Sequence, residues 1–318
     1  MYKNVKSKMM KPMIKYFVPL LAALVFVLVG CSTDKDGEGD GGGNGKNSIT
    51  FTLSGVSKPI IVLGPVPSEG NEGKLERLDV YMFDNADMKL EAVYKDIKLT
   101  TSGGSFSATI DVTERSGGKT FYFVGNGGSL TSALDKARYG ETTTDQFKEM
   151  LSDVQTTLPV PGYLMSGKST MANIVAPTDD EKKIKLTRRV ARFDIQNMAT
   201  NPSDPDDQTV TNFTIENIVV SNVNQQCNIF GDATGAQAGS IKTGNPAVIQ
   251  FGTGAGYNDG ETKSVFYTYP TTLGDGKTEI SFEGKFRGEE RLVTVTMPGG
   301  FNIEAQQRNV IKTKRQRI

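Results

Sequence analysis

Most of the chain after residue 47 alternates between apolar and polar residues with a period of two. Successive side chains of an extended strand point to opposite faces of a sheet, so this alternation is typical of strands that bury one face. Glycine, asparagine, aspartate and proline separate the alternating segments, which are ITFTL, LDVYMF, SFSATIDV, TFYFV, FTIENIVV, SVFYTY, ISFEGKF and LVTVTM. Many short strands at close spacing predict a mainly β protein built from β-sandwiches of half-buried strands.

Helix is expected only in the first half of this region. Thr142–Val154 is predicted as a short helix, because Thr143 and Gln146 have the spacing of a capping box and the apolar residues that follow share a face. A second, shorter helix is predicted in LTSALDKA. Helices are therefore a minor part of the expected fold.

The region is long enough for two domains, since 288 residues exceed one small sandwich. We place the boundary in KIKLTRRVARFDIQN, where the apolar positions change parity. The apolar residues before the change are Ile184, Leu186 and Val190, and those after it are Ala191, Phe193 and Ile195. A strand that changes its buried face is expected to pass from one sandwich to the next, so the predicted domains are residues 48–188 and 189–318.

Residues 1–30 have the features of a secretory signal. Five lysines precede the apolar stretch Phe17–Val29, which is too short for an ordinary membrane-spanning helix. The stretch ends in LVGC, which resembles a bacterial lipobox, in which the cysteine is acylated and the chain is cut before it. We therefore expect a lipoprotein held on a membrane through Cys31. The alternative is a plain secretory signal followed by an unrelated cysteine.

Residues 31–47 are predicted to form a flexible tether. Asp34–Asn47 contains six glycines and four acidic residues and has nothing apolar to bury. Its root-mean-square reach is on the order of 20 Å. An acidic run directly after the lipid-bearing cysteine resembles the signal that exports lipoproteins of Bacteroidetes-type bacteria to the outer face of the outer membrane, which is the expected location.

The composition excludes several classes of function. The chain has no histidine, so catalytic triads and histidine-ligated metal sites are impossible. Residues 31–318 carry 31 basic and 36 acidic residues, which gives no basic footprint for nucleic acid. The pairs Asp179-Asp180 and Glu289-Glu290 stand beside turn residues and cations, as in solvated loops. Cys227 is left as the only free thiol and is predicted to be a core residue. We expect no enzyme, cofactor or metal.

GYLMSGKST matches the phosphate-loop pattern G-x-x-x-x-G-K-[ST] at Gly162, Gly167, Lys168 and Ser169. A working phosphate loop needs a buried strand before it and a helix after it. Here prolines stand one and three residues before Gly162, and no helical spacing of apolar residues follows. We therefore interpret the match as accidental and expect no bound nucleotide.

The landmarks of the chain follow a particular order. Acylated Cys31 is followed by the strand ITFTL, by LDVYMFDNADMKL, GKTFYFVGN and GYLMSG, and then by LTRRVARFDI and FNIEAQQRNVIK. This order resembles the fimbrillin family, the type V pilus subunits of Bacteroidales bacteria, over nearly the whole chain after the signal. The resemblance implies two transthyretin-like β-sandwich domains. It also implies that GYLMSGKST is a loop before the last strands of the first domain.

The resemblance further implies assembly by donor-strand exchange. Precursors of the family travel as lipoproteins, a trypsin-like surface protease cuts after a basic residue behind the first strand, and a neighbour's C-terminal strand fills the groove left behind. In this chain the exchanged strand is residues 48–54, with Ile49, Phe51 and Leu53 facing the core. Each of these side chains contributes roughly 1.5–3 kcal/mol when buried, so an emptied groove is strongly apolar.

Two features depart from the family pattern. The usual arginine beyond the first strand is absent, and the basic residues available for cleavage are Lys58, followed by the obstructive Pro59, then Lys74 and Arg77, the last already in a strand. The chain also ends at IKTKRQRI without an apolar donor strand. A subunit that accepts a strand and donates none belongs at a pilus tip, and one that is never cut belongs at the membrane as an anchor. Both positions stay open, as does a truncated C-terminus.

The leading expectation is a structural or adhesive subunit of a cell-surface fimbrium. Its expected partners are other fimbrial subunits, the outer membrane, and surface ligands of a host or another bacterium. The alternative is a stand-alone surface lipoprotein that binds glycan on a sandwich face. The chain has no tryptophan, the commonest platform for sugar stacking. Tyr81, Tyr267 and Tyr269 remain, and their place in alternating strands favours the core.

Overall fold

The computed structural model describes residues 46–55, 72–102, 105–113, 117–160, 162–196, 213–231, 238–242, 249–251, 262–271, 278–286, 289–296, 303 and 308–312. All of them belong to one compact unit that spans Asn44–Ile318. Cys31 and Lys58 lie outside the described residues, as do the predicted signal peptide and nearly all of the predicted tether. None of the described helices is long and apolar enough to cross a membrane.

The described residues form a mainly β fold, which confirms the prediction. The strands of the first half are β1 (Lys46–Ser54), β2 (Leu78–Asp84), β3 (Leu90–Tyr94), β4 (Leu99–Ser102), β5 (Ser105–Thr113), β6 (Lys119–Gly125), β7 (Met165–Met171), β8 (Lys183–Lys185) and β9 (Thr187–Arg188). Those of the second half are β10 (Ala191–Gln196), β11 (Phe213–Asn224), β12 (Ala238–Lys242), β13 (Ile249–Phe251), β14 (Thr262–Thr268), β15 (Glu279–Phe286), β16 (Glu289–Thr296) and β17 (Arg308–Lys312).

The first half contains two sheets that share one core. Their strand orders are β4-β5-β1-β8 and β3-β2-β6-β7-β9. Buried and exposed residues alternate along β5, so one face of the first sheet is apolar. The cluster between the sheets, called the first cluster, contains Ile49, Phe51, Leu53, Leu75, Leu78, Val80, Met82, Phe106, Ala108, Ile110, Val112, Phe121, Phe123, Met165, Met171, Ile174, Ile184 and Leu186. Two sheets with interdigitated apolar faces form a β-sandwich.

Two strands of the second sheet are buried on both faces. Every residue of β6 is buried, and so is every residue of β2 except Asp84. The prediction that LDVYMF and TFYFV are half-buried was therefore wrong. Their outer faces contact a second cluster, made of Tyr81, Phe83, Leu90, Tyr122, Val124, Leu134, Phe147, Tyr163, Leu164, Val190, Cys227, Ile229, Tyr267 and Tyr269. Residues from both halves of the chain meet in this cluster, which is why β2 and β6 have no solvated face.

The second half forms two further sheets, with orders β14-β10-β17 and β12-β11-β15-β16, and β13 also pairs with β11. They enclose a third cluster of buried residues, made of Leu158, Ala191, Phe193, Ile195, Ile215, Ile218, Val220, Val223, Phe266, Ile280, Phe282 and Ile303. The predicted change of face near residue 190 is present, because Leu186 lies in the first cluster, Val190 in the second and Ala191 in the third. The limits of the two domains stay a prediction.

The helix predicted at Thr142–Val154 is much shorter than expected. The observed helix, α1, spans Thr144–Lys148 and begins with the predicted capping box between Thr143 and Gln146. Beyond it the backbone turns to the second half, where the Ser152 amide donates to the Cys227 carbonyl at 2.8 Å. These long-range hydrogen bonds replace the helical ones. LTSALDKA, predicted as a short helix, forms short 3-10 turns.

Candidate functional site: the groove that holds the first strand

β1 lies inside its sheet and is paired on both edges. It runs antiparallel to β5 from the Lys46–Thr113 pair to the Leu53–Phe106 pair, and parallel to β8 at Thr52–Ser54. A backbone amide and carbonyl row without a partner is a template for another strand. Within the part of the chain that is described, β1 is the only sheet neighbour of β8, so removing β1 would expose an edge on each side of the gap.

The inward side chains of β1 fill a deep apolar groove. Ile49, Phe51 and Leu53 are all buried, and Phe51 is fully so. The Phe51 ring packs edge-to-face against Phe121 at 5.3 Å and Phe123 at 4.9 Å between ring centres. Aromatic pairs in this geometry are favourable beyond the area that they bury. The predicted core-facing role of these three residues agrees with the structure, while their exchange stays a prediction.

The outward side chains of β1 are polar and bond across the sheet. Thr50 and Thr109 share a hydrogen bond of 2.9 Å between their hydroxyls, and the Ser48 hydroxyl donates to Asp111 at 2.5 Å. A shift of the strand by one residue would place these polar side chains in the core. The alternation therefore specifies both the face and the register of whatever strand occupies the groove.

β1 ends next to Gly55, where the backbone conformation requires a glycine. Gly55 has φ of +81°, which side-chain-bearing residues rarely adopt, and a Cβ there would lie 2.3 Å from the carbonyl oxygen of Leu186. The Leu186 amide in turn donates to the Ser54 carbonyl at 2.9 Å. Gly55 thus marks the downstream end of the groove.

Two of the three predicted cleavage residues, Lys74 and Arg77, lie in the segment directly before β2. Lys74 forms an ion pair with Glu76 at 2.5 Å, and the Arg77 guanidinium bonds Asp79 at 3.1 Å directly before β2. Leu75, between them, is buried in the first cluster. The structure therefore places Lys74 and Arg77 on either side of a residue that contributes to the core of the sandwich.

A buried carboxylate that the sequence did not predict connects this segment to the second half. Glu72 accepts hydrogen bonds from the guanidinium groups of Arg188 and Arg192, and from the hydroxyl of Tyr267 at 2.6 Å. Arg192 also donates to Asp194 at 2.5 Å. Burial disfavours the Glu72 carboxylate, but the hydrogen bonds and the two positive charges outweigh it, so the pKa of Glu72 is lowered. These partners are distant in sequence, so no local pattern indicates them.

The residues considered for other functions lie in the core. Tyr81, Tyr267 and Tyr269 are buried in the second cluster, so they offer no surface for stacking sugar. Cys227 is buried there as well, as predicted, and burial raises the pKa of its thiol to about 11. A thiol with so high a pKa is a poor nucleophile near neutral pH. In the described residues no group of three or more acidic or cysteine side chains has the arrangement of a metal site.

GYLMSGKST is mostly strand, which corrects the expectation that it is a loop. Met165 begins β7, and Gly167, Lys168 and Ser169 lie within it, paired antiparallel with β6. A Cβ on Gly167 would lie 2.8 Å from the carbonyl oxygen of Lys185, so this glycine permits close strand contact. The backbone amides of a strand bond its neighbour and cannot converge on a phosphate as those of a loop before a helix do.

The model of a protein family described as "Fimbrillin-A associated anchor proteins Mfa1 and Mfa2" matches residues 38–300. Among solved structures, a fimbrial assembly protein from Parabacteroides distasonis ATCC 8503 is 14% identical with a TM-score of 0.51, over 84% of this chain and 90% of that chain. The tip fimbrial protein Mfa3 from Porphyromonas gingivalis with C-terminal truncation is 13% identical with a TM-score of 0.50, over 86% and 96%. These likenesses show a shared fold. No curated protein sequence matches the chain.

Proposed function

This chain belongs to the family of fimbrillin-A associated anchor proteins, and we propose that it is the membrane-held subunit at the base of a surface fimbrium. Family membership makes it a fimbrial or adhesion-related accessory or anchor subunit of the cell surface, associated with other fimbrial subunits. The proposal adds two details. Cys31 carries the lipid that holds the protein on the outer face of the outer membrane, and the protein keeps its first strand.

The position of β1 is the observation that carries this proposal. β1 begins at Lys46, directly after the glycine-rich and acidic segment that leads from Cys31, and it fills the groove of its own sheet. The lipid site and the groove-filling strand therefore lie on one continuous segment, residues 31–54. A cut behind β1 would release the strand together with the anchor. A subunit that keeps β1 stays on the membrane.

A filled groove also supports a position at the base of the polymer. In donor-strand exchange a groove must be empty to accept a neighbour's strand, because one set of edge hydrogen bonds cannot serve two strands. Ile49, Phe51 and Leu53 already occupy this groove. The subunit then accepts no neighbour on that side, and the side faces the membrane. Retention of β1 further implies that the chain is not cut after Lys58, Lys74 or Arg77.

Mass spectrometry of the protein extracted from cell membranes tests this function. We expect a single species that begins at acylated Cys31 and continues through β1. A mature N-terminus after residue 58, 74 or 77 would contradict the anchor role. Cys31→Ala should move the protein from the detergent phase to the aqueous phase, since acylation is the proposed attachment. Cys227→Ala removes the buried thiol instead and is the matched control, which should remain in the detergent phase.

A further inference from the structure

Asn126 holds the segment in front of β2 by a set of hydrogen bonds to its backbone. It follows the last residue of β6 and has φ of +57°, a conformation that asparagine tolerates better than most residues. Its side-chain oxygen accepts hydrogen bonds from the amides of Glu76 at 2.8 Å and Arg77 at 3.4 Å.

The other groups of Asn126 bind the same segment. The side-chain nitrogen donates to the carbonyls of Lys74 at 2.7 Å and Tyr163 at 3.0 Å, and the backbone amide donates to the Arg77 carbonyl at 2.9 Å. Both hydrogen atoms and the oxygen of the amide are therefore used. A single side chain ties the backbone on either side of Leu75 to the end of β6 and to Tyr163.

Side-chain packing of Leu75 holds the same segment. Leu75 is buried in the first cluster, and its side chain lies over Gly125, where an added Cβ would be 2.6 Å from the Leu75 Cδ1 atom. The glycine leaves room for the leucine, and Asn126, the next residue, bonds the backbone around it. The segment is thus held by packing of Leu75 over Gly125 and by hydrogen bonds from Asn126.

We infer that Asn126 is a positioning residue that protects the peptide bonds after Lys74 and Arg77 from trypsin-like proteases. A protease binds its substrate as an extended chain with free backbone groups, so cleavage of a held segment requires local opening. The rate then follows the population of the open form. The inference deepens the proposed function, because it supplies a reason why β1 is retained even though basic residues follow it.

Limited digestion of the folded protein with trypsin tests the inference. Asn126→Gly suits the positive φ and removes every side-chain hydrogen bond, and we expect the rate of cleavage after Lys74 and Arg77 to rise at least tenfold. Asn126→Asp keeps the acceptor and loses the donor to the carbonyls of Lys74 and Tyr163, so its rates should lie between those of the parent and Asn126→Gly. Peptides that end at residues 74 and 77 are measured by mass spectrometry.

Val220→Ala is the control for a general loss of stability. Val220 is fully buried in the third cluster, which contains neither Leu75 nor Gly125, and its truncation should lower the melting temperature without opening the segment selectively. The inference is wrong if trypsin cuts Asn126→Gly no faster than the parent, or if Val220→Ala shows the same rise in cleavage rate after Lys74 and Arg77. It is also wrong if trypsin readily cuts the parent at these two positions. Digestion in solution reports only on the Asn126 hydrogen bonds, whereas the membrane extract reports on the anchor role, so failure of the inference and failure of the proposed function are distinguishable.

Discussion

Truncation of Phe51 should remove a large part of the free energy of unfolding. Replacing a buried phenylalanine by alanine costs about 3–5 kcal/mol. Phe51 is fully buried and makes two edge-to-face contacts, with Phe121 and Phe123, each of which adds about 0.5–1.5 kcal/mol. We therefore expect Phe51→Ala to lie near the upper limit, about 5 kcal/mol, which is a third or more of the stability of a typical domain. Phe51→Asp should destabilise the uncut chain further, because it buries an unpaired charge.

The neighbouring threonine is the matched control. Thr52 lies on the same strand with its side chain exposed, and its backbone amide bond of 2.9 Å to Lys182 does not depend on that side chain. Thr52→Ala should cost less than about 1 kcal/mol. Urea unfolding followed by circular dichroism measures both variants, since the chain has no tryptophan to report by fluorescence. Equal costs for Phe51→Ala and Thr52→Ala would refute the role of β1 as a core strand.

Three further predictions concern the ion network, the groove and the phosphate-loop match. Glu72→Gln should cost about 3 kcal/mol at pH 7, because it removes the buried carboxylate that pairs with the partly buried Arg188 and Arg192, whereas exposed Glu76→Gln should cost less than about 1 kcal/mol. Because the folded pKa of Glu72 is lowered, its contribution to the free energy of unfolding is complete above the unfolded pKa of about 4.3 and is lost as pH falls through the folded value. Thermal melts at a series of pH values should show this loss in the parent and not in Glu72→Gln. The peptide KNSITFTLS should raise the melting temperature of a chain without residues 31–57, and the same peptide carrying Phe51→Asp should not. A deletion variant that is monomeric, as stable as the parent and unaffected by the peptide would exclude strand exchange. Calorimetry with ATP and magnesium should show no binding, and micromolar binding abolished by Lys168→Ala would contradict the strand geometry of β7.

Patterns within a few residues were sufficient for the local elements. The alternation of β1 and β5 predicts their buried faces, because a strand's side-chain period is a property of the backbone. The capping box of Thr143 and Gln146 forms as predicted, because both of its hydrogen bonds close within four residues. The core position of Cys227 also followed from its apolar neighbours.

Long-range pairing decided the features that were missed. α1 ends early because the residues after it bond the chain near Cys227, some 75 residues away. β2 and β6 lose their solvated face because the second cluster covers them. The hydrophobic periodicity of the sequence indicates neither feature, because the deciding contacts come from segments that are distant along the chain.

The sequence by itself determined the eight alternating segments that form strands, the inward residues Ile49, Phe51 and Leu53, and the order of landmarks that indicates the family. Only the tertiary structure decided that β1 is paired on both edges, that Glu72 binds two arginines and a tyrosine, and that Asn126 binds the segment of Lys74 and Arg77. Backbone periodicity is a local property, which the order of residues records directly. Hydrogen bonds between residues 49 to 195 positions apart depend on how the sheets stack, and that arrangement exists only in the folded chain.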